Sequence, residues 1–433
     1  MTETSKKRSN PSYLLNINLE LDKCAKCGAC RTVCPIYEEL KLEKISARGK
    51  IALTQAVLSN NLDLTNGYQD AIDNCLQCLA CTESCGSGVQ LNRIIVAARA
   101  EMLQKKGLSL FKRLILRGLL PSKNLMDWFV KGSSLGQIFL FKKLPKSSGL
   151  RKRFPLPFLA KDQYVPKLVF TPFLKRVKSK TSRPSHSQVV FFTGCLINYV
   201  YPSIGESVIR VLEAIGKTVI FPQEQVCCGT PAKSQGDMTS VKRLAKINIE
   251  QLSKFEGMII TACASGGLML KHGYSELFET KDPYHEKALN ISSRTRDVSE
   301  YIVEKNGIAH LSKLKKSDPS QIITYHDPCH LCRGQQVEEQ PRQLLKGLFG
   351  DQYVEMEQAN RCCGSGGTYG LTHPEVSQSI LQGKVEEIEK TSANLVITGC
   401  PGCMIQLKDG IQKSKTSQSV KHTMEVISQN LKV

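Results

Sequence analysis

The sequence has no run of the roughly 18 consecutive apolar residues needed to cross a bilayer, and no apolar stretch follows the basic residues of its N-terminus, MTETSKKRSN. Neither a spanning helix nor a secretory signal is expected, so the reading is of a cytoplasmic chain, soluble or peripheral to a membrane. In that reducing compartment its 18 cysteines cannot be read as disulfides, and metal ligation becomes the leading explanation. Two further scarcities are local. Residues 105–180 contain no cysteine, and their only acidic residues are Asp127 and Asp162 against 19 Lys and Arg. That region alone carries a net charge of +17 in a chain whose total is +20. Such a balance suits nucleic acid, an anionic membrane surface or an acidic partner. A length of 433 residues excludes a small stapled scaffold and implies two or three domains, each with its own core.

The cysteine distribution marks those domains. Residues 1–104 hold eight cysteines in two tight groups; between and after the groups, Ala47, Ile51, Thr54 and Leu58, then Leu91, Ile95, Ala98 and Met102, recur at helical spacing. This is the pattern of an α-helical, ferredoxin-like domain. Residues 105–187 form a basic connecting region. From 188 onward, short apolar runs at Val189–Phe192, Thr218–Phe221, Met258–Ile260, Gln321–Thr324 and Leu395–Ile397 alternate with helical stretches, which predicts α/β units around a largely parallel sheet. These residues are also an internal repeat. Cys195 answers Cys329, Cys227-Cys228-Gly229 answers Cys362-Cys363-Gly364, and Cys263 answers Cys400. The expected fold class is therefore a multidomain α+β chain: a helical domain followed by cysteine-rich repeat 1 (188–312) and repeat 2 (313–433).

Cys24-x-x-Cys27-x-x-Cys30-x-x-x-Cys34-Pro35 has the spacing of a bacterial ferredoxin run, in which three thiolates grip one cubane and the fourth reaches the other cluster. Cys75-x-x-Cys78-x-x-Cys81-x-x-x-Cys85 repeats it. Zinc prefers two CxxC pairs, a poorer match to two runs of four. Two 4Fe-4S clusters are therefore expected, one on Cys24, Cys27, Cys30 and Cys85, the other on Cys34, Cys75, Cys78 and Cys81. Repeat 2 offers Cys329, Cys362, Cys363, Cys400 and Cys403, a five-thiolate set that would suit an additional cluster better than zinc. Repeat 1 offers only Cys195, Cys227, Cys228 and Cys263, because Gly266 stands opposite Cys403. It is read as a weaker metal site, a redox thiol site or a structural relic, with repeat 2 as the working copy.

Other motifs lead nowhere. His326 and His330 flank Cys329, but histidines in loops mostly cap or hydrogen-bond. Gly216-Lys217-Thr218 lacks the earlier glycine of a phosphate loop, and Gly364-Ser-Gly366-Gly367-Thr-Tyr369 ends on Tyr369 where a dinucleotide fingerprint needs a glycine or alanine. Cubanes carry single electrons, whereas hydride chemistry belongs to flavins and nicotinamides. No catalytic residue is expected on this chain, and FAD is expected on a partner subunit.

These features together resemble the family of iron-sulfur subunits of bacterial glycolate oxidase (glycolate dehydrogenase). The resemblance spans nearly the whole chain: the twin cysteine runs, Ala47-Arg48-Gly49-Lys50-Ile51 between them, both repeats, and the segment Cys362–Pro374. It departs at Gly86, where members usually have proline, and at Gly266. The resemblance implies an electron-transfer subunit of a complex that oxidises glycolate, and also D-lactate, with electrons passing from flavin subunits to a quinone or other acceptor. The layout is also similar to the iron-sulfur subunit of anaerobic glycerol-3-phosphate dehydrogenase. A nucleic-acid-binding iron-sulfur protein is a rival reading of the basic region, but that region lacks the aromatic-basic interleaving of single-strand binders, so no nucleic acid is expected as a partner. Instead Leu108, Phe111, Ile115 and Leu119 are read as one stripe flanked by Lys105, Lys112, Arg113 and Arg117, with Trp128 and Phe129 as an aromatic anchor on an anionic membrane. An acidic partner subunit is the competing occupant.

Overall fold

The computed structural model describes residues 12–143, 149–152, 164–177, 187–316 and 321–432; the N-terminal decapeptide and Asp162 lie outside them. The described part of the N-terminal domain is built of helices joined by loops, with no strand. The helix Ala47–Leu58 starts where Ser46 Oγ accepts from Gly49 N at 3.0 Å, and Asn66–Asp73 where Thr65 Oγ1 accepts from Tyr68 N at 3.1 Å. Ala47, Ile51 and Thr54 turn inward with Leu91, Ile95, Ala98 and Met102 of the helix Leu91–Lys106, closing a core around Leu14, Leu21, Tyr68 and Ile72. That last helix runs past residue 104, the boundary drawn from the sequence.

Residues 110–140 of the basic region form a helical hairpin and not one amphipathic helix. A short α-turn, Leu110–Arg113, passes into a π-helical segment, Leu114–Leu119, and the chain then reverses into the helix Lys123–Leu140. A small antiparallel sheet follows, β1 (Phe141–Lys143), β2 (Gly149–Lys152) and β3 (Val165–Pro166). The stripe expected at Leu108, Phe111, Ile115 and Leu119 does not hold, because the π-segment changes the turn angle. Leu108 and Ile115 pack toward Leu116 and Leu120 on the core of repeat 1, while Phe111 points outward.

The two repeats have one topology. In repeat 1, β4 (Gln188–Phe192), β5 (Thr218–Ile220), β6 (Met258–Thr261) and β7 (Thr295–Asp297) form a parallel sheet in the order β5-β4-β6-β7. In repeat 2, β8 (Ile323–His326), β9 (Leu395–Thr398) and β10 (Ser419–His422) are parallel in the order β10-β9-β8, and a parallel bridge from Ile323 to Tyr353 stands where β5 stands in repeat 1. The central strands are buried on both faces, as parallel strands covered by helices must be. Every cysteine-bearing loop leaves the carboxyl end of a strand or bridge, where open α/β sheets place their sites. The repeats meet through the helices Ala264–Leu268 and Cys329–Gln335, each of which begins at such a loop, with Gln335 Nε2 donating to Ala264 O at 2.8 Å.

Candidate functional site

The two N-terminal cysteine runs bend alike. Lys26 and Gly28 in the first, and Gln77 and Leu79 in the second, occupy corresponding positions with left-handed backbone, φ 58°, 88°, 54° and 65°. Three non-glycine residues held there indicate loops curled tightly around a centre, a conformation costing about 1 kcal/mol or more per residue. One cavity is lined by Cys24, Cys27, Cys30, Cys81 and Cys85, and a neighbouring one by Cys34, Cys75, Cys78 and Cys81. The segment 47–51 forms a shared wall. Gly49 is obligatory because a Cβ there would lie 2.0 Å from Glu43 O. Arg48 donates to Lys26 O at 3.2 Å behind the first cavity, and Lys50, 2% exposed, lines the second.

Burial pushes the Cys34 thiol up to about 11 and raises Cys81. Cys78 is raised by its hydrogen bond to Cys362 and by burial. Such thiols stay protonated at neutral pH unless a cation or metal draws off the proton. Soft sulfur donors converging on compact, largely apolar pockets therefore fit iron-sulfur ligation.

The cysteines of the repeats continue this arrangement. Cys78 meets Cys362, which meets Cys329 and Cys363. Cys363 meets Cys403, which meets Cys400; Cys400 meets Cys263 of repeat 1. Cys263 faces Cys228, which contacts Cys227 and through it Cys195. The proton-sharing thiols split accordingly: hydrogen bonds from Cys362 and Cys403 pull Cys363 well below the usual thiol value, and one from Cys227 pulls Cys228 down to about 7. The two repeats are joined at their cysteines, because the face-to-face helices bring Cys263 against Cys400. Cys332 stands outside the row, raised to about 12 by burial and the nearby Asp327 carboxylate.

His326, fully buried, groups with Cys363 and Cys403, its ligand atom and theirs within 4.8 Å of one another. Its Nδ1 has no hydrogen-bond partner among the described residues, and burial lowers the imidazole to about 3, so it is neutral. An orphaned neutral nitrogen beside two thiols is a second mark of a site built for a soft centre. His330 instead hydrogen-bonds, through Nδ1 to Ser265 Oγ at 2.9 Å and Nε2 to Gln77 O at 3.1 Å.

Buried polar side chains hold these loops in register, and no sequence motif marks them. Gln225 Oε1 accepts from Thr193 N at 2.7 Å, just before Cys195. Asn248 bridges Val226 N (2.9 Å) and Cys227 O (3.0 Å), and Tyr274 Oη donates to Cys228 O at 3.1 Å. In repeat 2, Arg342 grips Asp327 at 2.9 and 2.7 Å, and Asp327 N donates to Ala359 O at 3.0 Å, tying the loop of Cys329 to that of Cys362. Lys384, 0% exposed, lies beneath the same loop, donating to Gln358 O and to Ala359 O (3.4 Å); burial lowers its ammonium to about 8.

The glycine-rich segment after Cys363 is a docking seam. Gly364 has φ +83°, and a Cβ there would lie 2.6 Å from Ser377 O; at Gly366 it would lie 2.6 Å from Leu76 Cδ2. Tyr369 Oη donates to Asn74 Oδ1 at 3.0 Å, beside Cys75. Arg99 braces the opposite side, donating to Cys75 O (3.0 Å) and Ser234 O (2.8 Å). A cavity of about 560 Å³ opens where the helical domain and both repeats meet, lined in part by Gln77, Thr230, Lys233, Ser265, His330 and Arg333.

Known proteins resemble the chain in each of these parts. Residues 20–89 match the 4Fe-4S dicluster domain, and residues 189–271 and 323–408 each match the cysteine-rich domain. The chain is 31% identical over 413 residues to the probable glycolate oxidase iron-sulfur subunit of Bacillus subtilis (strain 168), covering 93% of this chain and 91% of that one. It is 37% identical over 227 residues to a fumarate reductase (CoM/CoB) component of Methanothermobacter marburgensis, covering 52% and 43% of the two chains. Lactate utilization protein A 2 of Bacillus cereus (strain Q1) is 30% identical over 244 residues, 56% of this chain and 99% of that protein.

Proposed function

Because this chain belongs to the family of glycolate oxidase iron-sulfur subunits, with a 4Fe-4S dicluster domain ahead of two cysteine-rich domains, we propose that it is the electron-transfer subunit of a glycolate dehydrogenase complex, with D-lactate as a second substrate. The observation that carries the reading is the unbroken row of thiols from the helical domain through Cys78 and Cys362 into both repeats. Electron transfer needs closely spaced centres, and a row of touching ligands supplies that spacing.

Cys24, Cys27, Cys30 and Cys85 would hold one cubane and Cys34, Cys75, Cys78 and Cys81 a second. Cys329, Cys362, Cys363, Cys400 and Cys403 would hold a third centre. When bound, such clusters take up and release single electrons. The protein's own part is to fix the donor sulfurs through the Arg48, Arg99, Asn248 and Arg342 contacts, and to exclude water by burying Cys78, Cys362, Cys363, Cys400 and Cys403. Glycolate oxidation to glyoxylate falls to FAD on a partner subunit, since cubanes carry single electrons and hydride chemistry belongs to flavins.

The acceptor is a quinone, met where the complex rests on the inner, anionic face of the cell membrane. No helix among the described residues is long and apolar enough to cross a membrane. The hairpin of the basic region, however, exposes Leu110, Phe111, Leu114, Trp128, Ile138 and Phe139, each 60% or more, a surface suited to interfacial insertion.

The experiment is anaerobic purification of the chain alone and with co-expressed flavin subunits. Alone it should leave glycolate unoxidised; the complex should reduce an artificial acceptor, and Cys78→Ser should abolish that flow. Turnover of glycolate by the isolated chain, or an unaffected Cys78→Ser complex, refutes the proposal.

A further inference from the structure

Three lysines are buried among the described residues: Lys50 (2% exposed), Lys271 (9%) and Lys384 (0%). Lys271 has an ordinary reason to be there, an ion pair with Glu300 at 2.7 Å. Lys50 and Lys384 have no carboxylate in ion-pair range among the described residues. Lys50 Nζ donates to Ile45 O. Lys384 Nζ reaches Met356 Sδ at 3.6 Å, Ala359 O at 3.4 Å and Gln358 O. Asp327 lies behind Lys384 but is committed to Arg342 at 2.7 Å.

An ammonium buried without a counter-charge is among the more costly things a fold can contain, so the location of these two requires explanation. Each lies against thiols. Lys50 lines the cavity of Cys34, Cys75, Cys78 and Cys81. Lys384 is hydrogen-bonded to the Gln358 and Ala359 carbonyls of the loop that leads into Cys362 and Cys363, and both thiols favour its charged form. The same device thus occurs at two independent places. The outer cavity of Cys24, Cys27, Cys30 and Cys85 has no buried cation among the described residues; its neighbour Arg48 sits at the rim, 28% exposed and already paired with Glu43 at 2.6 Å.

We propose that Lys50 and Lys384 are resident counter-ions of two thiolate centres and raise their reduction potentials above that of the outer centre, giving the electron path its inward direction. This rests on the reading that iron-sulfur clusters occupy the thiol sites. One-electron reduction adds a negative charge to a centre, with no bond made or broken; the electron comes from the partner's flavin. A fixed cation in low dielectric stabilises the more negative state, so the electron settles beside the lysines.

The test is an anaerobic redox titration of the full-length chain, followed by paramagnetic resonance and by iron analysis. Lys384→Gln keeps a donor for the Gln358 and Ala359 carbonyls but removes the charge. It should lower the potential of the repeat 2 centre alone, about tenfold in its reduction equilibrium, or about 59 mV for a one-electron couple. Lys50→Gln should do the same only to the centre of Cys34, Cys75, Cys78 and Cys81. Lys384→Arg and Lys50→Arg should stay near the parent values. Loss of iron in the Gln variants with retention in the Arg variants also supports a required charge. Unchanged potentials at full iron content, shifts shared by every centre, or equal iron loss in the Gln and Arg variants overturn the proposal. A parent chain without cluster signals refutes the cluster reading itself.

Discussion

At position 266 a Cβ would meet nothing closer than Cys263 Cβ at 3.6 Å, with Cys263 Sγ and Phe192 Cε1 at 3.8 Å. That is ordinary contact distance, so a Cβ fits where repeat 1 lacks the equivalent of Cys403. Gly266→Cys should therefore complete the five-thiolate set of repeat 1 and raise the iron and sulfide content of reconstituted protein above that of the parent. Content equal to the parent would mean that repeat 1 is closed to a cluster by something other than its missing thiol. At this scale the grouping of the N-terminal thiols into two cavities was legible, since the spacing of each run curls its loop back on itself. Lys50 and Lys384 were not, because a lysine in sequence reads as solvated surface and only burial reveals otherwise. Gln225, Asn248 and Tyr274 were equally hidden: they act by bonding backbone atoms distant in sequence, and no local pattern encodes such partners.

Among the elements, β4, β6 and β9 matched their apolar runs, and β5 did so but for Phe221. The expected strand at Gln321–Thr324 lies instead at Ile323–His326, because Tyr325 and His326 are buried despite their polar atoms. β7 (Thr295-Arg-Asp297) and β10 (Ser-Val-Lys-His422) were unreadable as strands. Each is a short sheet edge with polar residues at most positions, and the apolar signal that marks a buried strand is absent. The basic hairpin shows how an element redirects a residue-level idea. Lys112 Nζ donates to Gln235 Oε1 at 2.7 Å, Arg117 pairs with Asp237 at 3.2 Å, and Lys175 pairs with Asp127 at 2.9 Å. Reversing charge at Lys112 or Arg117 would disturb the seat of the hairpin on repeat 1 and say little about membranes. The apolar edge is the better probe. Trp128 and Phe139 are each 73% exposed, and at roughly 1.5 kcal/mol or more per large side chain inserted, Trp128→Glu with Phe139→Glu should weaken binding to anionic vesicles about a hundredfold. Flotation at low salt measures it; retained binding assigns this face to a protein partner.

For the whole molecule, the seam between the halves is the informative feature. Leu76, Asn74 and Cys78 of the helical domain fit against Gly366, Tyr369 and Cys362 of repeat 2, whereas Cys27 lies at the surface. The docking of the halves could not be read from sequence, which marks domains by composition and carries no sign of which faces meet. The seam also sets an expectation for the order in which the sites are filled. A scaffold delivering iron can reach Cys27 in the finished fold, but Cys78 is buried once Gly366 has closed on Leu76. On the reading that clusters fill these sites, the centres involving Cys78 and Cys362 are expected to load before the halves close, from the inside outward. When folded, metal-free protein is offered iron and sulfide, the Cys24–Cys85 centre should form well before the inner ones, and brief unfolding should remove the delay; equal rates in closed protein would show that the seam opens freely.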